Sequence, residues 1–128
     1  MDRETYSNPV IAKFINDNYL AVKFDGEGKD DVTYQGKTFK YVEFVQSNGR
    51  PGKYHELSSA ILNSGKKPGE RGGGFPTTAF FNADAQLIQT VPGYLSKERF
   101  EKILAYFNLP NFRETPWPDF EQNFKSAL

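Results

Sequence analysis

The stretch GGGFPTTAFFNADAQLIQTVPGY, residues 72 to 94, decides the fold of this 128-residue chain. Two apolar runs, residues 77–81 and 87–91, flank the turn-forming sequence NADA at 82–85. Runs of strand formers separated by turn residues predict an antiparallel β-hairpin. A Pro-Gly pair ends the second strand, and the Phe-Pro-Thr sequence at 75–77 leads into the first.

Helices are predicted on both sides of this hairpin. Ser7-Asn8-Pro9 predicts a helix start, where a side-chain oxygen can cap a helix that has Pro9 at its first position, and Ser96 can cap another helix. Apolar residues at helical spacing define the faces that these helices bury. The predicted helices are residues 9–18, 53–64, 96–107 and a last short one that opens at Pro118 and buries Phe120 and Phe124.

Two further segments carry a strand pattern. YLAVKF, residues 19–24, is short and rich in strand formers, and DGEG ends it with turn chemistry. VTYQGKTFKYVEF, residues 32–44, alternates around Gln35-Gly36 and predicts a second β-hairpin. Strands and helices therefore alternate along the chain, which is typical of an α/β protein.

Composition limits the range of functions. A chain of this length fits one domain, residues 1–128, and its 16 basic residues balance its 16 acidic ones. Without net charge, the protein has no field that would hold nucleic acid or an anionic membrane surface. The N-terminus MDRETYSNP lacks the basic and apolar regions of a signal peptide. The sequence has no cysteine, which excludes disulfides, thiolate metal sites and cysteine nucleophiles.

Three other features have simpler interpretations than a catalytic or ligand site. His55 is the only histidine, and no partner residues suggest a catalytic or metal-binding role, so we expect a helix-surface or satisfied interior residue. EGKDD at 27–31 lacks the spaced oxygen ligands of a calcium loop and predicts a solvated loop. GERGGGF at 69–75 lacks the ending of a phosphate-binding loop and leads into a strand. We therefore expect neither a metal nor a cofactor.

The glycine-preceded FPTT, the following PGY and the amphipathic helix after them resemble the C-terminal half of the thioredoxin fold. DRETYSNP at the N-terminus strengthens the similarity to thiol-disulfide oxidoreductases of the bacterial type, which extends over nearly the whole chain. The resemblance implies a thioredoxin-like three-layer α/β/α sandwich with an inserted β-hairpin. Residues 19–24, 77–82 and 86–91 would lie in one mixed sheet, with helices on its faces.

The resemblance also implies a substrate-binding loop at Phe75, Pro76 and Thr77. In this family the proline at the position of Pro76 is cis, and its loop lies beside a Cys-x-x-Cys motif and pairs with an extended segment of a protein substrate. We therefore expect a cis bond between Phe75 and Pro76. The alternative is a proline that merely begins an edge strand. No residue of this chain matches the catalytic cysteines.

The first strand and the redox motif of the family would lie upstream of Met1, so the resemblance implies an N-terminally incomplete form of an oxidoreductase. Family members of this type are often exported. The alternative is a cysteine-free thioredoxin-like module that binds a protein or peptide without catalysis. Without the first strand, we expect residues 19–24 either to pair directly with 77–82 or to receive a strand from another copy, which would give a homodimer through the sheet edge.

Overall fold

The computed structural model describes residues 2–64, 74 and 76–128. The helices are α1 Pro9–Asn18, α2 Glu56–Leu62, α3 Lys97–Phe107 and α4 Trp117–Asn123, with a π-helical turn at Asp2–Tyr6 and a 3-10 turn at Phe112–Glu114. The strands are β1 Val32–Tyr34, β2 Lys37–Phe39, β3 Tyr41–Val45, β4 Pro51–His55, β5 Thr77–Phe81 and β6 Leu87–Pro92. Among the described residues, no helix is both long enough and apolar enough to cross a bilayer.

The strands form three separate two-stranded antiparallel sheets, β1 with β2, β3 with β4 and β5 with β6. The first and third of these are the hairpins that the sequence predicts. The chain divides into two compact units, one made of Met1–Val22 and Tyr94–Leu128, the other of Lys23–Gly93. The three sheets all lie in the second unit, and α1, α3 and α4 lie in the first.

Two predictions about the secondary structure are wrong. Residues 19–24 form no strand and pair neither with β5 nor with β6, so the predicted mixed sheet is absent from the described residues. A strand requires a partner for its backbone groups, and no other described strand lies alongside this segment. Residues 53–55, which were predicted to start a helix, belong instead to β4. They pair with β3 in a ladder that runs from Tyr41↔His55 to Val45↔Pro51.

The first unit is built on α1 and α3. Asn8 Oδ1 accepts hydrogen bonds from the Val10 and Ile11 amides at 2.9 and 3.3 Å, which confirms the predicted cap of α1. The buried side chains of the unit include Ile11, Leu95, Phe100, Ile103 and Leu104. The Tyr19 hydroxyl donates to the Leu104 carbonyl at 2.6 Å and ties the end of α1 to α3. Burial raises the pKa of Tyr19 to about 12.

The C-terminal residues are anchored to α3. The Glu101 carboxylate is buried and accepts hydrogen bonds from the Ser126 hydroxyl at 2.6 Å and the Ala127 amide at 2.8 Å. The Tyr106 ring contacts the rings of Phe107, Phe112, Trp117 and Phe120 with centroid distances of 5.2 to 6.0 Å. The last helix is thus present as predicted, although Phe120 and Phe124 are half-buried and not fully buried.

The turn of the β5–β6 hairpin is held by its own side chains and by the β1–β2 hairpin. Asn82 Oδ1 accepts hydrogen bonds from the amides of Asp84 and Gln86 at 3.0 and 2.9 Å. The Ala85 carbonyl accepts from the Tyr34 hydroxyl and, at 2.8 Å, from Gln35 Nε2. The tip of one hairpin is therefore fastened to the turn of the other.

Ala85 lies in the left-handed region with φ of 59°. This conformation costs an alanine roughly 1 kcal/mol, whereas asparagine tolerates it. We expect Ala85→Asn to increase the free energy of unfolding by up to ~1 kcal/mol, measured from the urea midpoint. The matched control is Ala83→Asn in the same turn, since Ala83 has no positive φ. Equal stability of the two variants would contradict the argument.

Candidate functional site

The loop before β5 holds the two described residues of the predicted substrate-binding loop. Pro76 is exposed and Thr77 half-buried, while Phe75 and the Phe75–Pro76 bond lie outside the described residues. The Pro76 carbonyl accepts a hydrogen bond from the Gly93 amide at 2.8 Å. Gly93 has φ of 92°, a conformation that favours glycine. The FPT and PG sequences, which are 17 positions apart between Pro76 and Gly93, are thus brought together at the open end of the hairpin.

The register of this hairpin determines which backbone groups remain available. Thr77 lies opposite Pro92, and the Gly93 to Pro76 hydrogen bond makes this a non-hydrogen-bonded pair. Because the two pair types alternate, Thr78 bonds to Val91, whereas Ala79 lies opposite Thr90 without bonding to it. The N–H and C=O groups of Thr77 and Ala79 therefore point away from β6.

The outer edge of β5 is open in the described part of the chain, where β5 pairs only with β6. The backbone groups of Thr77 and Ala79 on this edge have no hydrogen-bond partner among the described residues. The Thr77 hydroxyl is already used, since it donates to the Gly74 carbonyl. The edge thus offers main-chain donors and acceptors at two-residue spacing, which is the pattern that an extended peptide can match.

The substrate-binding residues expected from the sequence include Pro76 and Thr77 but not Ala79, whose backbone groups also lie on the open edge of β5. The outward direction of the Ala79 backbone depends on the pairing register, which a β-bulge between Phe80 and Phe81 changes further along. In the sequence, this register is indicated only by the Pro-Gly pair at 92–93, which lies opposite the proline that precedes β5.

His55 is a structural residue, as the sequence predicts. Its side chain is 1% exposed, and its Nδ1 accepts a hydrogen bond from the Leu57 amide at 3.1 Å, which caps α2. Because Nδ1 accepts, the ring proton lies on Nε2, which donates to the Asp30 carbonyl at 2.8 Å. Both ring nitrogens are occupied by the backbone, and the Phe24 ring packs edge-on against the imidazole at 5.3 Å.

The acidic loop around residues 27–31 carries ion pairs with lysines. Glu27 lies 3.6 Å from Lys53, and Asp31 lies 3.6 Å from Lys40, with all four side chains largely exposed. No group of three or more histidine and acidic side chains in the described residues could hold a metal ion. Of the GERGGGF sequence, only Gly74 lies within the described residues.

A polar cavity of about 470 Å³ lies in the first unit, at the N-terminal ends of α1 and α3. Its walls include two cations, Arg3 and Lys97, and two anions, Glu4 and Glu98. The Tyr94 hydroxyl donates to Glu4 Oε2 at 2.7 Å, and this hydrogen bond raises the pKa of Tyr94. The opposite charges offset each other, so the cavity has no net charge with which to select an ion.

An exposed proline before a hairpin, a Pro-Gly turn after it and an amphipathic helix beyond are the features in which the sequence resembles the thioredoxin-like class. The model of the thioredoxin-like domain family matches residues 1–108, so the chain belongs to this family. No match was found among curated proteins or among solved structures. The chain combines membership of the family with a complete lack of cysteine.

Proposed function

We propose that this chain is the thioredoxin-like domain of a thiol-disulfide oxidoreductase, and that its own part in the reaction is to hold the protein substrate. The observation that carries the proposal is the open edge of β5 directly after Pro76. An extended substrate segment would align along this edge and exchange hydrogen bonds with the backbone of Thr77 and Ala79. Such pairing involves only the backbone of the substrate, so it is compatible with many substrate sequences.

Pro76 limits where this pairing can begin. It has no N–H group, and its carbonyl is already bonded to the Gly93 amide. A substrate strand can therefore bond to the backbone of Thr77 and of the residues that follow it. We propose that Phe75, Pro76 and Thr77 together fix the register in which a substrate disulfide is presented.

The redox step needs sulfur that this chain does not contain. In thiol-disulfide exchange a thiolate attacks one sulfur of a disulfide, a new S–S bond forms, and the other sulfur leaves as a thiolate. His55 cannot replace it, because both of its ring nitrogens are bonded to the backbone. The reacting thiols must come from outside these 128 residues.

The second candidate is a thioredoxin-like interaction module that binds without catalysis. The lack of any cysteine favours it, since such a module needs only the peptide-binding edge. Both candidates use the same edge of β5, so a binding test examines what they share. The presence or absence of a cysteine pair elsewhere in the protein then separates them.

The binding test uses proline substitutions on one rung of the hairpin. Ala79→Pro removes an N–H from the open edge of β5, whereas Thr90→Pro removes the N–H of the residue opposite, on the outer edge of β6. Neither substitution removes a bond between β5 and β6. We expect Ala79→Pro to weaken binding of an unfolded, reduced model protein about tenfold, in line with the loss of one backbone hydrogen bond, and Thr90→Pro to leave it unchanged.

Binding can be measured by fluorescence anisotropy, with circular dichroism to verify that both variants fold. Equal affinities of the two variants and the unsubstituted chain would show that the substrate does not pair with β5. A loss in Thr90→Pro alone would place the binding site on β6 and also contradict the proposal.

A further inference from the structure

A single histidine joins a loop to a helix in the second unit. The His55 imidazole is 1% exposed, and its Nδ1 accepts a hydrogen bond from the Leu57 amide at 3.1 Å. Its Nε2 donates to the Asp30 carbonyl at 2.8 Å. The ring therefore ties the first turn of α2 to the loop of residues 25–31, which precedes β1. Only the neutral imidazole with its proton on Nε2 can make both bonds.

The charged ring cannot make both of these bonds. An imidazolium has an N–H group on each nitrogen and accepts no hydrogen bond, so its Nδ1 would turn a donor toward the Leu57 amide, which is also a donor. The ring is buried, and a buried donor without an acceptor is destabilising. To carry a charge, the ring must therefore leave its position, and it then gives up the Asp30 bond and the edge-on contact with Phe24.

The surrounding charges do not compensate for this loss. The charged and titratable side chains on the elements next to the ring are Asp25, Glu27, Lys29, Asp30 and Asp31 in the loop, Lys40 before β3, Tyr41 and Glu43 on β3, Lys53 on β4 and Glu56 on α2. The nearest in sequence, Glu56, accepts a hydrogen bond from the Lys40 amide at 2.8 Å. Both ring nitrogens bond to backbone groups, so in its present position the ring bonds to no carboxylate of the described chain.

We infer that His55 is an acid-sensitive latch between the 25–31 loop and α2, closed while the ring is neutral and opened when the ring takes up a proton. Histidine is the side chain that ordinarily changes charge between about pH 5 and 8, so the latch opens in mildly acidic solution. The open form binds one proton more than the closed form, and acid therefore favours it. The Ser58 hydroxyl donates to the Gly26 carbonyl at 2.8 Å and does not titrate, which confines the opening to the Asp30 end of the loop and the first turn of α2. The latch is independent of the peptide-binding role of β5.

Hydrogen exchange of the Leu57 amide tests the latch directly, because this amide donates to the ring. We expect its protection factor to fall at least about tenfold between about pH 7 and about pH 5, as the open form takes up its extra proton. The internal controls are the Val10 and Ile11 amides, which are capped by Asn8, a side chain that does not titrate. Their protection factors should stay the same over this pH range.

His55→Asn is the matched variant, since asparagine can cap a helix but takes up no proton. We expect the protection of its Leu57 amide to be independent of pH over the same range.

A second measurement uses the unsubstituted chain alone. Because the chain has one histidine, the imidazole signals in a nuclear magnetic resonance spectrum belong to His55. We expect them to change from the Nε2–H tautomer to the imidazolium in the pH interval in which Leu57 loses its protection. Equal protection of Leu57 at both ends of the pH range would overturn the inference. So would an equal loss in His55→Asn, or an imidazolium that forms while Leu57 stays protected.

Discussion

The 128-residue chain is expected to reduce no protein disulfide at any pH. Disulfide reduction proceeds through a mixed disulfide, so it requires a thiol, and the chain has none. Hydroxyl groups and the His55 imidazole cannot form this intermediate. The measurement is turbidity or fluorescence of a model disulfide protein with dithiothreitol as the electron source, corrected for the rate without protein. Turnover above that background would contradict the chemical argument.

The oxidoreductase proposal makes the opposite prediction for a form of the protein that carries a strand and a Cys-x-x-Cys motif ahead of Met1. Such a form should reduce the same substrate, because a thiolate at a helix N-terminus has a lowered pKa and attacks readily. Replacing the first cysteine by serine should abolish turnover, while substrate binding persists. The DNA upstream of Met1 shows whether this pair is encoded. If it encodes none, the oxidoreductase proposal fails and the interaction module remains.

The largest effect on stability is expected at His55. His55→Ala removes the acceptor that caps α2, which costs about 1 kcal/mol, and leaves the Asp30 carbonyl without its donor, which costs about 1–3 kcal/mol. The ring contact with Phe24 is lost as well. We expect a total decrease of about 3 kcal/mol in the free energy of unfolding, measured by urea denaturation with unchanged m-value.

His55→Asn separates the two contributions. Asparagine is a good N-cap residue, but its side chain is too short to reach the Asp30 carbonyl as well. We expect this variant to recover about 1 kcal/mol relative to His55→Ala. If His55→Ala lowers stability by less than about 1 kcal/mol, the two hydrogen bonds contribute less than typical buried ones. If His55→Ala loses only the stability attributed to the helix cap, a water molecule must donate to the Asp30 carbonyl in place of the His55 ring.

The parts of the fold that could be predicted from the sequence are those that local interactions determine. Asn8 and Ser96 both cap the helices assigned to them, and the β5–β6 hairpin forms around its turn. The incorrect predictions concern which segments of the chain pair with each other as strands. Tyr54 and Leu57 fit a helical stripe, yet residues 51–55 pair with β3, because the ladder offers more backbone bonds than one helical turn.

The segment 19–24 illustrates the same limit more sharply. Its strand propensity is high, but propensity describes how well side chains suit a pleated surface and does not supply a partner. The candidate site was predictable to the same extent. The family resemblance predicts a role for Pro76 and Thr77, whereas the outward direction of the Ala79 backbone required the register that the Gly93 to Pro76 hydrogen bond indicates.

The anchoring of the C-terminal residues to α3 bears on where the protein can be cut. The family match ends at residue 108, but the rings of Phe112, Trp117 and Phe120 lie against Tyr106, and Glu101 holds the last residues. A fragment ending at the family boundary would expose the Tyr106 ring and leave the buried Glu101 carboxylate without its two donors. Residues 109–128 thus cover α3 with half-buried aromatic side chains and two hydrogen bonds to Glu101, and expression vectors for this domain should keep them.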